Sequence, residues 1–324
     1  MIIDCQCHYL SPSYLEVLDG RPGYPTLERR DGCPYLVTAP GLGFPITETM
    51  TDVETKLRVM DAHGIDIALL SVNVPGTCRF DRDLGVPLAR QENDALARVV
   101  ASRPDRFLGL AELPLQDVDQ AILELERAVV DLGLKGVSLF SNINGRSLDD
   151  PAFLPFYECV QKLGVPIFLH PTCPLGAEHM QEYELIQVIG FLLDTTLAMC
   201  RLIFSGILER FPAIPFVLPH LGSVLPYVMG RVDTSSGNIP GSRANIREAP
   251  SRYFRDVYVD TVSLHPPALK LAYEYQGPDK MLFASDFPFW SIQRAIQTIE
   301  EMDIPREDKE KIVHGNAERL LRLG

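Results

Sequence analysis

The sequence alternates eight times between a short apolar segment and a segment with helical spacing, and this alternation limits the possible fold most strongly. Most of the apolar segments lack polar residues at alternate positions, which is typical of parallel strands covered on both faces. Eight strand–helix units fit a closed barrel better than an open, doubly wound sheet, which usually has fewer strands. The sequence therefore predicts an α/β protein with the (β/α)₈ TIM-barrel fold. The predicted strands span residues 2–8, 65–72, 107–113, 134–140, 165–170, 214–219, 256–261 and 280–285.

The alternation is interrupted once, after the first strand, by residues 9–50, which are rich in Pro, Gly and charge. A loop of this length in a compact domain is usually functional or forms a lobe of its own. We expect this segment to fold as a small insertion lobe that acts as a lid over the C-terminal mouth of the barrel. The whole chain, residues 1–324, is expected to form one barrel domain.

Charge and cysteine content narrow the class of protein. The chain has 30 Lys and Arg against 43 Asp and Glu, a net charge of −13. Such a surface repels phosphate and anionic lipid, so neither nucleic acid nor a membrane is an expected partner. The apolar stretch at 186–208 contains Asp194 and Arg201, which are costly in a bilayer, and is expected to be a buried helix within a longer helix at 183–210. Seven irregularly spaced cysteines without an apolar leader predict a reduced, cytoplasmic protein.

Four polar residues occupy the ends of different predicted strands, where the active site of such a barrel is built. They are His8, His170, His220 and Asp286. Each histidine alone would more often be a hydrogen-bonded structural residue, but a barrel brings all four strand ends to one point. Neutral imidazole and carboxylate groups suit Zn²⁺, Mn²⁺ or Fe²⁺, and such a set leaves a coordination position for water or substrate.

The first strand reads Asp4-Cys5-Gln6-Cys7-His8, and side chains alternate between the two sides of a strand. We therefore expect Asp4, Gln6 and His8 to point into the barrel and both cysteines to point toward the helices. A thiolate metal site is disfavoured by this geometry, and buried packing is expected for Cys5 and Cys7. Gln6 and His8 are the better pair of ligand candidates.

Three further polar residues lie near strand ends: Asn73, Glu112 and Asp260. Each is equally compatible with hydrogen bonding within the barrel and with substrate contact. Phe289 and Trp290, just after Asp286, are candidates for stacking on a planar substrate, although packing against the last helix is an equal alternative.

Eight motifs in order carry a resemblance that runs nearly from end to end of the chain. They lie at residues 4–8, 60–66, 103–107, 168–171, 208–212, 220–223, 285–289 and 315–317. Together they resemble the amidohydrolase superfamily (amidohydrolase family 2), in the branch of α-amino-β-carboxymuconate-ε-semialdehyde decarboxylase and related nonoxidative decarboxylases.

The resemblance implies that His8, His170 and Asp286 bind a divalent metal, zinc first and manganese as the alternative, with His220 as acid/base. It also implies a homodimer in which Arg231 reaches a substrate carboxylate across the interface. On the sequence alone, Arg231 could equally form a salt bridge on a helix surface.

One position departs from the family pattern. Gln6 stands where the family carries His or Glu. A glutamine offers a carbonyl oxygen but neither charge nor a basic nitrogen, so Gln6 is a doubtful fourth metal ligand.

The primary interpretation is a metal-dependent nonoxidative decarboxylase, a carbon–carbon lyase, acting on a small unsaturated or aromatic carboxylic acid. The metal would stabilise developing charge, while Asp286 or His220 would deliver the proton that replaces CO₂. The alternative is a metal-dependent hydrolase of a lactone, ester or amide, or a hydratase, in which the metal activates water. A catalytically silent barrel with a binding role is the third interpretation.

Overall fold

Eight parallel strands form the centre of the fold in the computed structural model, which describes residues 1–323. Each overlaps one of the eight predicted strands, and five further strands lie outside the ring. In chain order the strands are β1 (Ile3–His8), β2 (Thr26–Arg30), β3 (Cys33–Ala39), β4 (Leu42–Pro45), β5 (Ile67–Ser71), β6 (Phe107–Gly109), β7 (Val137–Phe140), β8 (Asn142–Ile143), β9 (Arg146–Ser147), β10 (Ile167–His170), β11 (Phe216–Leu218), β12 (Tyr258–Asp260) and β13 (Met281–Leu282).

The eight central strands follow chain order around the ring. Strands β1, β5 and β6 pair in one parallel sheet, and β7, β10, β11, β12 and β13 pair in a second. Parallel bridges join the two sheets at both edges, Ala111 with Val137 at one edge and Cys7 with Phe287 at the other. The predicted α/β fold, a (β/α)₈ barrel, is confirmed.

Helices cover the outside of the ring between successive strands. Helix α3 shows the local reasons: the Asp52 side chain accepts a hydrogen bond from the Thr55 N–H, and Gly64 ends the helix with φ 70°. The helices are α1 (Pro12–Leu18), α2 (Glu48–Thr51), α3 (Val53–His63), α4 (Arg82–Ser102), α5 (Val118–Glu126), α6 (Leu154–Leu163), α7 (Phe191–Phe204), α8 (Ile207–Arg210), α9 (Pro219–Gly222), α10 (Leu225–Asn238), α11 (Pro250–Phe254), α12 (Pro266–Gln276), α13 (Ile292–Glu300), α14 (Arg306–Glu310) and α15 (Asn316–Leu321).

The prediction of one continuous helix at 183–210 is wrong, because the segment is divided into shorter helical pieces. A π-helical turn, Ile186–Gly190, leads into α7, and α8 is separated from α7 at Gly206, which has φ 84°. The segment Ile186–Phe204 is long and apolar enough to cross a membrane by length and composition, and 44% of it is buried within the protein. Arg201 on this segment pairs with Asp149, with Nε 2.7 Å from Oδ1.

The insertion after β1 folds as a small lobe of its own. It contains α1, the antiparallel sheet β2-β3-β4 and α2. Strand β4 faces the barrel, because the Gln187 amide donates to the Gly43 carbonyl at 2.7 Å and Phe44 packs edge-on against Phe289. The lobe therefore contributes to the wall at the C-terminal mouth.

Three apolar clusters form the core, and the smallest, Ala39, Leu42 and Ile186, joins the lobe to the π-helical turn. The other two belong to the barrel. The larger lies between the strands and the helices, and the smaller fills the barrel interior with residues from almost every central strand. Cys5 belongs to the interior cluster, so the prediction that both cysteines point toward the helices is wrong for Cys5 and correct for Cys7. The pairing register shifts between Asp4 and Cys7, as in a β-bulge, and this shift reverses the alternation. Asp4, which precedes the shift, consequently faces away from the interior.

Candidate functional site

Three of the predicted residues meet at the open end of the barrel. The ligand atoms of His8, His170 and Asp286 all lie within 4.8 Å of one another. His8 ends β1, His170 ends β10, and Asp286 follows β13, so three distant parts of the chain converge. All three side chains are buried, and His8 is fully enclosed. The structure thus brings together three of the four strand-end residues, and their binding of a metal stays a prediction.

Hydrogen bonds orient the two imidazoles of this metal-ligand trio. His170 Nδ1 lies 2.8 Å from the Pro171 carbonyl oxygen, which only accepts, so Nδ1 carries the proton and Nε2 keeps its lone pair. His8 Nδ1 lies 3.1 Å from Ser71 Oγ, and His8 Nε2 lies 3.2 Å from an Asp286 oxygen. Both Nε2 atoms are thus directed to the point where a metal would be shared.

Burial keeps His170 and His220 neutral, whereas contacts with histidines keep Asp286 ionised. Burial, followed by the charge of His8, lowers the pKa of His170 to about 3 against the opposing effect of Asp286. Burial also lowers the pKa of His220. For Asp286, burial alone would raise the pKa, but the hydrogen bond to His8 and the charges of the three histidines hold it below its usual range. Neutral imidazole and ionised carboxylate are the forms that bind a metal.

Gln6 lies beside the trio without joining it. Its amide nitrogen donates to Asp286 Oδ1 at 3.0 Å, so this contact fixes the carboxylate and leaves the amide oxygen directed elsewhere. The role of Gln6 as a fourth ligand stays a prediction.

His220 is presented by a turn with an unusual backbone. His220 and Leu221 have φ of 56° and 59°, and Gly222 and Ser223 follow with φ of 76° and 58°. The His220 N–H donates to Asp260 Oδ1 at 2.7 Å, which anchors the turn to β12. Side chains with a Cβ adopt this region at a cost of about 1–3 kcal/mol each, and such strain concentrates at functional sites.

Asp260, one of the three ambiguous sequence candidates, has a structural role. Burial raises its pKa to about 7, although the backbone N–H groups of Val262 and His220 donate to it. Glu112 is likewise enclosed and accepts two hydrogen bonds from Thr77, whereas Asn73 lines the cavity described next.

A cavity of about 810 Å³ opens above the trio. His170, His220 and Asp286 form part of its wall, and most of the remaining wall is apolar. Among the described residues that line it there is no Lys or Arg. An acidic substrate would therefore meet a bound metal and the histidines of the wall, His170, His220 and His265, with no Lys or Arg from this chain.

Only two of the three predicted substrate-binding residues line the cavity. Phe289 and Trp290 both line the cavity and are 41% and 47% exposed. Arg231 lies on α10, is exposed, and does not line the cavity of its own chain. Tyr227, four residues earlier on α10, lines the cavity rim and is 81% exposed.

Two parts of the cavity wall were not found from the sequence. One is the π-helical turn and the start of α7, with Gln187 and Phe191, and the other is the loop after β12, with Val262 and Ser263. Their residue types are ordinary for a helix start and a loop. The only available signal was their position after predicted strands, which many non-functional residues share.

Comparisons with known proteins agree with the geometry of the site. The amidohydrolase family profile matches residues 3–323. A 2-amino-3-carboxymuconate-6-semialdehyde decarboxylase from Dictyostelium discoideum is 31% identical over 332 residues, covering 99% of this chain and 91% of that protein. A gamma-resorcylate decarboxylase from Rhizobium is 36% identical over 285 residues, covering 83% and 87%. A dihydroxybenzoic acid decarboxylase structure from Polaromonas, with bound manganese and 2-nitroresorcinol, superposes with a TM-score of 0.86 at 31% identity, covering 99% and 97%.

Proposed function

The chain belongs to the amidohydrolase family, and from that premise we propose that it is a metal-dependent nonoxidative decarboxylase, a carbon–carbon lyase. The proposed substrate is a small aromatic or unsaturated carboxylic acid, as in the decarboxylases to which the chain is similar. The observation that carries the proposal is the trio of His8, His170 and Asp286, within 4.8 Å of one another beneath a cavity that His220 also lines.

The donor set of the trio fits a divalent metal. Two neutral imidazole nitrogens and one ionised carboxylate match the preferences of zinc and of manganese. We propose zinc as the resident ion, with manganese as the alternative supported by the Polaromonas neighbour. When bound, such a metal stabilises negative charge that develops on substrate oxygens.

His220 is the proposed carrier of the proton that replaces CO₂. Its Nδ1 atom is buried without a hydrogen-bond partner among residues 1–323, which leaves Nε2 as the nitrogen available to the cavity. A neutral imidazole at this position takes up a proton and delivers it to the carbon that loses CO₂. Asp286 is the alternative proton carrier, although its lowered pKa favours the ionised carboxylate. Its proposed role in catalysis is to hold charge opposite the histidines.

The lack of a Lys or Arg in the cavity wall favours a contribution from a second copy of the chain. We propose a homodimer in which Arg231 of one subunit reaches the substrate carboxylate of the other. Arg231 and Tyr227 are four residues apart on α10 and so share a helix face, which places Arg231 near the exposed cavity rim. We also propose that residues 9–50 act as a lid over the cavity. The proposed location is the cytoplasm, since the seven cysteines are free.

An assay of metal-loaded protein tests this function. The purified protein is incubated with hydroxybenzoates and muconate-type acids, while CO₂ release and product mass are followed. We expect one or more acids to yield a product lighter by one CO₂. A product heavier by one water would identify the hydrolase or hydratase alternative. No bound metal after metal-supplemented growth, with neither reaction on any acid, would favour the binding role.

A further inference from the structure

Strain in the backbone is concentrated at the candidate site. Nine residues other than glycine have positive φ among the described residues, and four of them are His220, Leu221, Ser223 and Asp286. His220 and Asp286 already have proposed roles, and Leu221 lies within the turn that presents His220. Ser223 has no role so far, and it differs from His220 and Leu221 in its ψ.

Ser223 has φ 58° and ψ −125°, outside the left-handed helical region. This is the conformation of the first central residue of a type II′ turn, where glycine is strongly preferred because it lacks Cβ. A serine there costs stability that a glycine would recover. This cost in stability is evidence that the hydroxyl group of Ser223 has a function at this position.

Hydrogen bonds determine what the Ser223 hydroxyl can offer to a ligand. Ser223 Oγ lies 2.6 Å from Thr195 Oγ1 and 3.3 Å from the Pro219 carbonyl oxygen. Thr195 Oγ1 is in turn 2.8 Å from the Phe191 carbonyl oxygen. Carbonyl oxygens only accept, and each hydroxyl has one proton to donate.

Two arrangements keep both hydroxyl protons on these protein partners and place one of them in the 2.6 Å contact between the hydroxyl groups. In the first, Thr195 donates to Phe191 and Ser223 donates to Thr195. In the second, Thr195 donates to Ser223, and Ser223 donates to Pro219. In both, the Ser223 proton is directed into the protein and at least one lone pair remains free. Thr195 is fully buried, so water does not compete for its hydroxyl group.

Ser223 is partly exposed and lines the same cavity as His220 and Asp286. We propose that Ser223 is a specificity-determining residue that accepts a hydrogen bond from a hydroxyl group of the substrate. The inference rests on the proposed function and narrows its substrate class to carboxylic acids that carry a hydroxyl group besides the oxygens bound at the metal. A site built to accept such a bond disfavours the analogue that lacks the hydroxyl, because the acceptor is then left unpaired.

The test compares hydroxybenzoic acids with their counterparts that lack one hydroxyl, in the wild type and in Ser223→Ala and Ser223→Gly. In the wild type, kcat/KM should favour one hydroxylated acid over its counterpart, and both variants should reduce that ratio about tenfold. Comparing ratios removes the effect of the hydroxyl on the intrinsic reactivity of the acid. Ser205→Ala, at the end of α7 and outside the cavity wall, is the matched control and should leave the ratio unchanged.

Thermal unfolding and ligand binding are measured as well, so that the role of Ser223 is tested even if no acid is decarboxylated. Ser223→Gly should unfold at a higher temperature than Ser223→Ala, because glycine relieves the strained φ and ψ. If the wild type releases CO₂ from no acid, the same pairs are compared as ligands by calorimetry. A hydroxyl preference that the variants lose would then support the role of Ser223 although the proposed function fails. An unchanged preference in both variants, or a wild type without any preference, overturns the inference.

Discussion

Strand β1 contributes to two very different halves of the barrel interior. Ile3 and Cys5 pack into the closed, apolar half, together with side chains such as Phe168 and Leu282. A few residues later, beyond the shift in register, Gln6 and His8 belong to the open half, where they contact a buried carboxylate. The same strand thus supplies packing at one end and chemistry at the other.

The two halves of the barrel interior also differ in backbone strain and in the hydrogen bonding of their buried polar atoms. The closed half consists of apolar side chains in ordinary strand geometry, which favours stability. The open half contains positive φ angles at His220, Ser223 and Asp286, and a buried His220 nitrogen without a partner. Proteins accept such local losses of stability where function needs a particular geometry. Substitutions in the two halves should therefore have separable effects.

The sharpest test of this separation is Asp286→Asn. The substitution keeps the shape of the side chain but removes the charge that faces the metal and the histidines. We expect kcat/KM for decarboxylation to fall roughly 10³-fold, with cooperative thermal unfolding retained. Kinetics, metal analysis and a thermal melt are measured on one preparation. Activity within tenfold of wild type would show that the trio is not the catalytic centre.

The opposite result is expected for Leu282→Ala in the closed half. Leu282 is fully buried, so the cavity left behind should lower the free energy of unfolding by about 2–5 kcal/mol. The kcat per folded molecule should stay close to wild type. Urea denaturation gives the stability, and Leu123→Ala, on an exposed position of α5, is the control with a change below about 0.5 kcal/mol. A loss of kcat without a loss of stability would contradict the division of the barrel interior into a stabilising half and a catalytic half.

A buried carboxyl group of the open half should make stability depend on pH. Burial raises the pKa of Glu112 to about 7, and one of its oxygens has no hydrogen-bond partner among residues 1–323. A raised pKa in the folded state means that the contribution to stability is present below the ordinary pKa and is lost as the pH rises to about 7 and beyond.

Glu112→Gln removes this titration. The variant should be more stable than wild type by roughly 3–4 kcal/mol at pH 8, because the pKa of Glu112 rises from 4.5 to about 7 and each pKa unit corresponds to about 1.4 kcal/mol, and close to wild type at pH 4. Denaturation curves at several pH values measure the difference. A difference that does not vary with pH would mean that Glu112 titrates normally in the folded protein.

The smallest expected effect concerns Gln6. If Gln6 orients Asp286 through the 3.0 Å hydrogen bond, Gln6→Ala should weaken metal binding about 10–100-fold, as is usual for partners of metal ligands. Gln6→Glu should strengthen it by adding a charged oxygen. Competition with a chelator measures both affinities. A loss well beyond 100-fold in Gln6→Ala would instead identify Gln6 as a ligand.

Much of the fold was predictable because its signals are local. Strand and helix periodicity needs only neighbouring residues, and the eight central strands were found in this way. His8, His170 and Asp286 were found because they follow strand ends, and a closed barrel brings strand ends together whatever its loops do. The insertion at 9–50 was recognisable from its length and composition, but not its three-stranded sheet.

Other features depend on atoms that are distant in the sequence, and only the tertiary structure decided them. Cys5 faces the interior because β1 shifts register against β5, which no pattern within β1 reveals. Burial sets the neutral state of His170, and a carbonyl contact sets its tautomer. The polarity of the Ser223 hydroxyl follows from Thr195 on another element. The residues along the chain determined which groups are present and on which elements they lie, whereas packing between those elements determined their direction, protonation and partners.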